Sequence, residues 1–222
     1  MIYIWDNLPF LIHGLIKTLL IAIASLLFST IIAAVLGIAS MKRFRVGRRI
    51  IMIYVEIFRD TPLIVSVFMI FFLAPTLGLA LSPFWSIVVA LSLWGGANGT
   101  EIVRSAFDSI EPHQWESSRA LGLNFTDTIL FVATPQAMPI LLPAFTGLLA
   151  LLVQGTALGA LVGVEELFHS FQTIVEQTTV IVGINISPIA YLLVLCIYFT
   201  ICFPISYAGK YMEERMKLKR KA

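Results

Sequence analysis

Apolar residues run almost unbroken through five stretches of this chain, roughly Leu15–Ala39, Ile50–Leu73, Phe84–Phe107, Ile140–Gly163 and Ile186–Ala208. Each is close to the ~20 residues a helix needs to cross the hydrocarbon core of a bilayer. None shows the alternation, ~10 residues at a time, that marks a barrel strand. The pattern predicts an all-α integral membrane protein with five transmembrane helices in a single domain over 1–222. Between the third and fourth stretches lies a polar island, the loop 109–139, punctuated by Pro112, Pro135 and Pro139.

Composition narrows the class. Of the 222 residues 59% are hydrophobic and 13% charged, and the mean hydropathy is +0.93. Soluble domains carry about 25% charged residues, and a domain of this size still needs a wet surface, so the bilayer is the solvent. The opening residues hold Asp6 and no early cluster of positive charge, which does not read as a cleavable signal. Met1–Gly14 reads instead as an interfacial segment with Trp5 at headgroup depth. Cys196 and Cys202 are six apart on one predicted helix, ~9 Å of rise, too far for a disulfide.

Charge sets the orientation. Of 15 Lys and Arg, five lie in 41–49 and six in the tail from Lys210 onward. Segments 74–83 and 164–187 have none, and the second carries Glu165, Glu166 and Glu176. By the positive-inside rule the basic segments and the polar island are cytoplasmic. Five crossings then leave the N-terminus outside and the C-terminus inside. The net charge of +2 needs no nucleic acid; the basic tail suits contact with anionic membrane lipid. On the outer side, Leu167, Phe171, Ile174 and Val175 fall at helical spacing, so 165–178 is expected to form a short helix against the bundle, a packed surface element or a lid.

Charges inside spans are functional suspects. Glu56 and Arg59 are three apart, Glu101 and Arg104 three apart, and Asp108 lies four beyond. The simpler reading is ion pairs that steady helix ends; the alternatives are a cross-link between the second and third spans, or contact with a solute. Gly95, Gly96 and Gly99, and then Gly155, Gly159 and Gly163, read as close-packing stripes. Gln154 and Thr156 are polar groups mid-span that either bond a neighbouring helix or meet a polar solute. Glu56, Arg59, Glu101, Arg104, Gln154 and Thr156 are therefore the candidates for a path or gate.

Within the island, Pro112 suits a first helical turn, acidic residues surround the start, and Gly122 suits a left-handed end. The predicted helix is 112–121, ~14 Å long and marginal on its own. It needs a partner surface, with Trp115 as an anchoring aromatic and the small Ser117 and Ser118 allowing close approach.

Glu116-Ser117-Ser118, three residues, Gly122, nine residues and Val132-Ala133-Thr134-Pro135 resembles the EAA loop of ABC-transporter permease subunits. The family form is Glu-Ala-Ala, three residues, Gly, nine residues, Ile-x-Leu-Pro. Val55 to Leu63 (Val-Glu-Ile-Phe-Arg-Asp-Thr-Pro-Leu) and Glu101-Ile102-Val103-Arg104-Ser105 resemble segments of the polar amino-acid uptake branch, as does Gly14 with Thr18-Leu19. The departures are serines for both alanines, Val132 for Ile and Thr134 for Leu. Where many members read Lys-Asp-Thr-Ser-Leu, this chain reads Gln154-Gly155-Thr156-Ala157-Leu158, which leans toward a neutral polar amino acid.

The resemblance implies a permease subunit of the bacterial inner membrane, crossing it several times. A separate ATPase pair would use ATP and magnesium, an extracytoplasmic solute-binding protein would deliver cargo, and a second permease subunit, a copy or a paralogue, would complete the path. Trp115, Glu116, Ser117, Ser118, Arg119, Leu121, Gly122 and Pro135 would then couple to the ATPase. The chain itself has no Gly-x-x-x-x-Gly-Lys-Ser/Thr phosphate loop, and no bound cofactor or metal is expected. The competing classes are a stand-alone channel or secondary transporter, and a membrane enzyme. The enzyme finds little support, since the topology puts His13 and His169 on one side and His113 on the other.

Overall fold

The computed structural model describes residues 5–41 and 45–221. Met1–Ile4 of the expected interfacial segment, Lys42 and Arg43 of the basic segment, and the side chains beyond Met216 lie outside that description. Helix α1, Leu8–Met41, takes in the whole first predicted span. Its buried ridge is built of small residues, Gly14, Thr18, Ala22, Ser25, Ser29, Ala33, Gly37 and Ser40. Along it lies α4, Pro83–Asp108, which starts with Ser82 accepting from the Trp85 N–H and Pro83 in the first turn. A Cβ on Gly99 would sit 2.6 Å from that of Ala33, and one on Gly96 would sit 2.7 Å from Ile32. The Ser29 hydroxyl donates to the Ser92 carbonyl at 3.3 Å. Small residues on both helices thus let the backbones close together.

The second predicted span is not one helix. It is α2, Arg45–Asp60, and α3, Leu63–Thr76, bent by 108° at the break. Pro62 disfavours helical geometry at Thr61 and offers no N–H to continue the ladder. The third predicted span is helical as α4, but its serines, glycines, Asn98 and ionic pair make it less apolar than the rest, and neighbouring helices cover it. Among the described residues three helical runs are long and apolar enough to cross a membrane, and the bent pair would be a fourth.

Helix α5, Pro112–Ala120, follows. Beyond it the expected loop is largely helical. A turn at Phe125–Asp127 leads through a π-helical stretch, Thr128–Ala133, into α6, Thr134–Gly155, so Pro135, Pro139 and Pro143 lie inside helix. After Gly155 the chain tightens into a 3₁₀ segment, Thr156–Val162, that ends at left-handed Gly163 with φ of 80°. With about three residues per turn there, Gly155, Gly159 and Gly163 do not share one face, which corrects the expected stripe. Helix α7, Leu167–Val182, buries Leu167, Phe171, Ile174 and Val175 as their spacing predicts. Helix α8, Ser187–Lys221, extends well past Ala208.

Among the described residues four apolar clusters result, the smallest of them Ala22, Val153 and Cys202. One gathers Ile21, Val67, Ile87, Leu91 and Leu152. A second holds α7 against α1 and α8 through Leu11, Phe171 and Ala190. A third packs Ala33, Val103, Phe107, Ile129 and Ala137 beneath α5.

Candidate functional site

Helix α5 is held by its ends. Pro112 occupies the first turn, and Gly122 has φ of 78°. The Gly122 N–H donates to the Arg119 carbonyl and the Leu123 N–H to the Ser118 carbonyl, both at 3.0 Å, which closes the last carbonyls in a Schellman arrangement. The helix matches its expected span to within one residue.

Its two faces differ. Glu116, Arg119 and Gly122 are exposed, and Leu121 is 81% exposed. Ser118 is buried and donates to the Gln114 carbonyl. Trp115 packs on the core beneath the helix. Trp115, half-buried, packs α5 on its own bundle and also lines an open cleft beside Glu116 and Arg119, while the buried Ser118 uses its hydroxyl within α5 itself. Ser117, half-buried, hydrogen-bonds His113 at 3.1 Å. Pro135 is exposed, in the first turn of α6. Behind α5 lies a cleft of about 680 Å³ whose lining includes Arg48, Arg104, Asp108, Trp115, Glu116 and Arg119.

The six path candidates do not form one site. Arg104 grips both carboxylate oxygens of Glu101 and reaches Asp108 at 2.8 Å, so the expected ion pairing holds along α4. Glu56 and Arg59 are exposed on α2 and take part in no ion pair among the described residues. Gln154 is exposed, whereas Thr156 is fully buried with its hydroxyl donating to the Val153 carbonyl.

Sequence reasoning missed Glu166. Its side chain is fully buried and caps α7. It accepts from the Phe168 N–H at 2.9 Å, the His169 N–H at 2.8 Å, the Tyr198 hydroxyl at 2.9 Å and the Thr18 hydroxyl at 3.4 Å. One carboxylate thereby joins α1, α7 and α8. Burial pushes its pKa above the usual carboxylate value, and these donors pull the other way. Its neighbour Glu165 is more open and pairs with Lys17 at 2.9 Å, which lowers its pKa. The available signal was an acid at the cap position of an amphipathic helix. Among the described residues no group of three or more His, Cys, Asp or Glu could hold a metal.

The chain is a bundle of apolar helices with a short, capped polar helix, α5, between α4 and the run that leads into α6. Residues 27–218 match the family model of the binding-protein-dependent transport system inner membrane component, and the chain belongs to that family. It is 33% identical over 212 residues to the L-cystine transport system permease protein TcyB of Bacillus subtilis (strain 168), covering 94% of this chain and 87% of the relative. It is 30% identical over 217 residues to the glutamine transport system permease protein GlnP of Escherichia coli (strain K12), covering 97% and 96%. Its fold is similar to a chain of an amino acid ABC transporter crystallised with histidines, with TM-score 0.83 at 23% identity over 96% of each. It is also similar to a chain of the inward-facing methionine ABC transporter MetNI, with TM-score 0.74 at 25% identity over 95% of this chain and 98% of that one.

Proposed function

We propose that this chain is the permease subunit of an ATP-driven amino-acid importer in the bacterial inner membrane, and that α5 is the joint gripped by a separate ATPase. The carrying observation is the exposed edge of α5. Glu116, Arg119 and Leu121 project from a helix whose other side packs on the bundle through Trp115 and whose end is set by Gly122. A rigidly rooted helix with a free charged edge transmits a push instead of absorbing it. Glu116 holds register through charge-assisted bonds to the partner.

On this reading α1, the bent α2–α3 pair, α4, the run from Phe125 to Val162, and α8 make five crossings, with the N-terminus outside and α5 inside. A second subunit, a copy or a paralogue, matches the two ATPase subunits, and an extracytoplasmic binding protein delivers the solute. ATP and magnesium belong to the ATPase. The named substrates of the relatives support an amino acid, and Gln154-Gly155 at the position of the family's charged pair supports a neutral polar one.

The test is reconstitution in lipid vesicles with ATPase and binding protein. Loaded binding protein should raise ATP hydrolysis, and Glu116→Lys should insert normally yet lose roughly tenfold or more of that stimulation, the cost of a charge-assisted contact turned repulsive. Full stimulation of the variant removes the docking assignment.

A further inference from the structure

Seven consecutive residues, Thr156–Val162, are 3₁₀ at the end of the apolar run Phe125–Val162. Such runs rarely exceed three or four residues, because their hydrogen bonds are poorly aligned, and a stretch within a longer helix marks strain or a hinge. The local sequence does not call for it. Ala157, Leu158, Ala160 and Leu161 are among the best α-formers, so tertiary attachments hold the run in this form.

Both ends are attached. Toward α6, a Cβ on Gly155 would sit 2.8 Å from the Leu91 side chain of α4. Toward α7, the Gly163 N–H donates to the Ala160 carbonyl at 3.2 Å and the Val164 N–H to the Gly159 carbonyl at 2.9 Å. Glu166 follows, held by the hydroxyls of Thr18 and Tyr198. The Tyr198 hydroxyl also lies 3.5 Å from that of Thr156, so α8 touches both ends of the run.

The run carries two registers. Thr156, Gly159 and Val162, every third residue, are buried, which is the repeat of a 3₁₀ helix. In an α-helix those three would fan over about 120°, whereas Gly155, Gly159 and Gly163 would fall along one face and let a neighbour approach. At its other end α6 begins in the π-helical stretch whose Ile129 and Ala133 pack with Trp115 of α5. A displacement of α5 therefore enters α6 at one end and meets the 3₁₀ run at the other.

We propose that Thr156–Val162 is a screw joint, 3₁₀ in this structure and α-helical in the alternate state of the transport cycle, with Glu166 as the anchor it turns against. It rests on the permease reading above. Each residue that converts shortens the run by about 0.5 Å and turns its α6 side against its α7 side by about 20°. The same turn moves Thr156 off Tyr198 and re-aims Gln154, the two polar groups beside the joint.

Paired spin labels test this in the full chain carrying Cys196→Ala and Cys202→Ala, assembled with its ATPase and binding protein in lipid nanodiscs. Leu151→Cys with Leu161→Cys, both half-exposed, bracket the joint; Leu142→Cys with Leu151→Cys, within α6, is the control. Dipolar electron paramagnetic resonance reads both separations without nucleotide and with ATP plus vanadate. On trapping, the first should shorten by about 2–3 Å and the control should hold. Glu166→Ala should give the shorter separation before ATP is added. A joint separation unchanged on trapping, or a control that changes as much, overturns the proposal, and a long separation kept by nucleotide-free Glu166→Ala overturns the anchor. Stimulation of ATP hydrolysis by loaded binding protein is measured on the same complexes. With stimulation and no shortening, the joint fails and the permease reading stands; without stimulation in the cysteine-free background, the permease reading fails and the joint with it.

Discussion

Single residues carry more of this molecule than its greasy composition suggests. Glu166 is the clearest case, since four donors from three helices converge on one buried carboxylate. Glu166→Leu strands those donors and removes the α7 cap, and should cost on the order of 3 kcal/mol. The measurement is thermal unfolding of the detergent-purified protein. The pKa of Glu166 also makes stability depend on pH. A carboxyl whose folded-state pKa is raised contributes stability fully below the unfolded value, near 4.5, and loses it as pH rises through the folded value. The midpoint of the wild type should therefore decline as pH climbs above about 4.5 through the weakly acidic range, and Glu166→Gln should lack that slope. The Glu-Glu pair was visible in the sequence. That one acid turns inward and the other outward was not, because the choice depends on Thr18 and Tyr198, distant in the chain.

At the scale of elements, periodicity and punctuation were mostly legible. Pro112 and Gly122 bracket α5, and the apolar spacing of α7 was borne out in its burial. The break at Asp60–Thr61–Pro62 carried its own signal, but a continuous run of apolar residues on either side masked it. The prolines after Gly122 read as loop, yet a bundle supplies enough packing for helix to run through them, with a π stretch absorbing the mismatch. The α1–α4 contact depends on small side chains on both sides. Gly99→Val should force the helices apart at Ala33 and lower stability by roughly 1–3 kcal/mol. Gly47→Ala, whose Cβ would meet no atom within 4 Å, should leave the unfolding midpoint unchanged or slightly higher.

For the whole molecule, orientation is the property on which coupling turns. On the proposed reading the basic residues put α5 in the cytoplasm. Alkaline phosphatase, active only outside, should therefore be active when fused at Gly183 and inactive when fused at Gly122; activity at Gly122 would put α5 out of reach of any ATPase. Membrane residence, the helical class and the ends of α5 were determined by the sequence alone, because hydropathy and Pro/Gly stereochemistry act locally. Only the tertiary structure decided that Trp115 packs on its own bundle, that Ser118 and Glu166 are buried, that the second span bends, and that Pro139 and Pro143 border a cavity against α8. Those outcomes depend on which helix lies opposite, and a one-dimensional pattern holds no record of its neighbours in space.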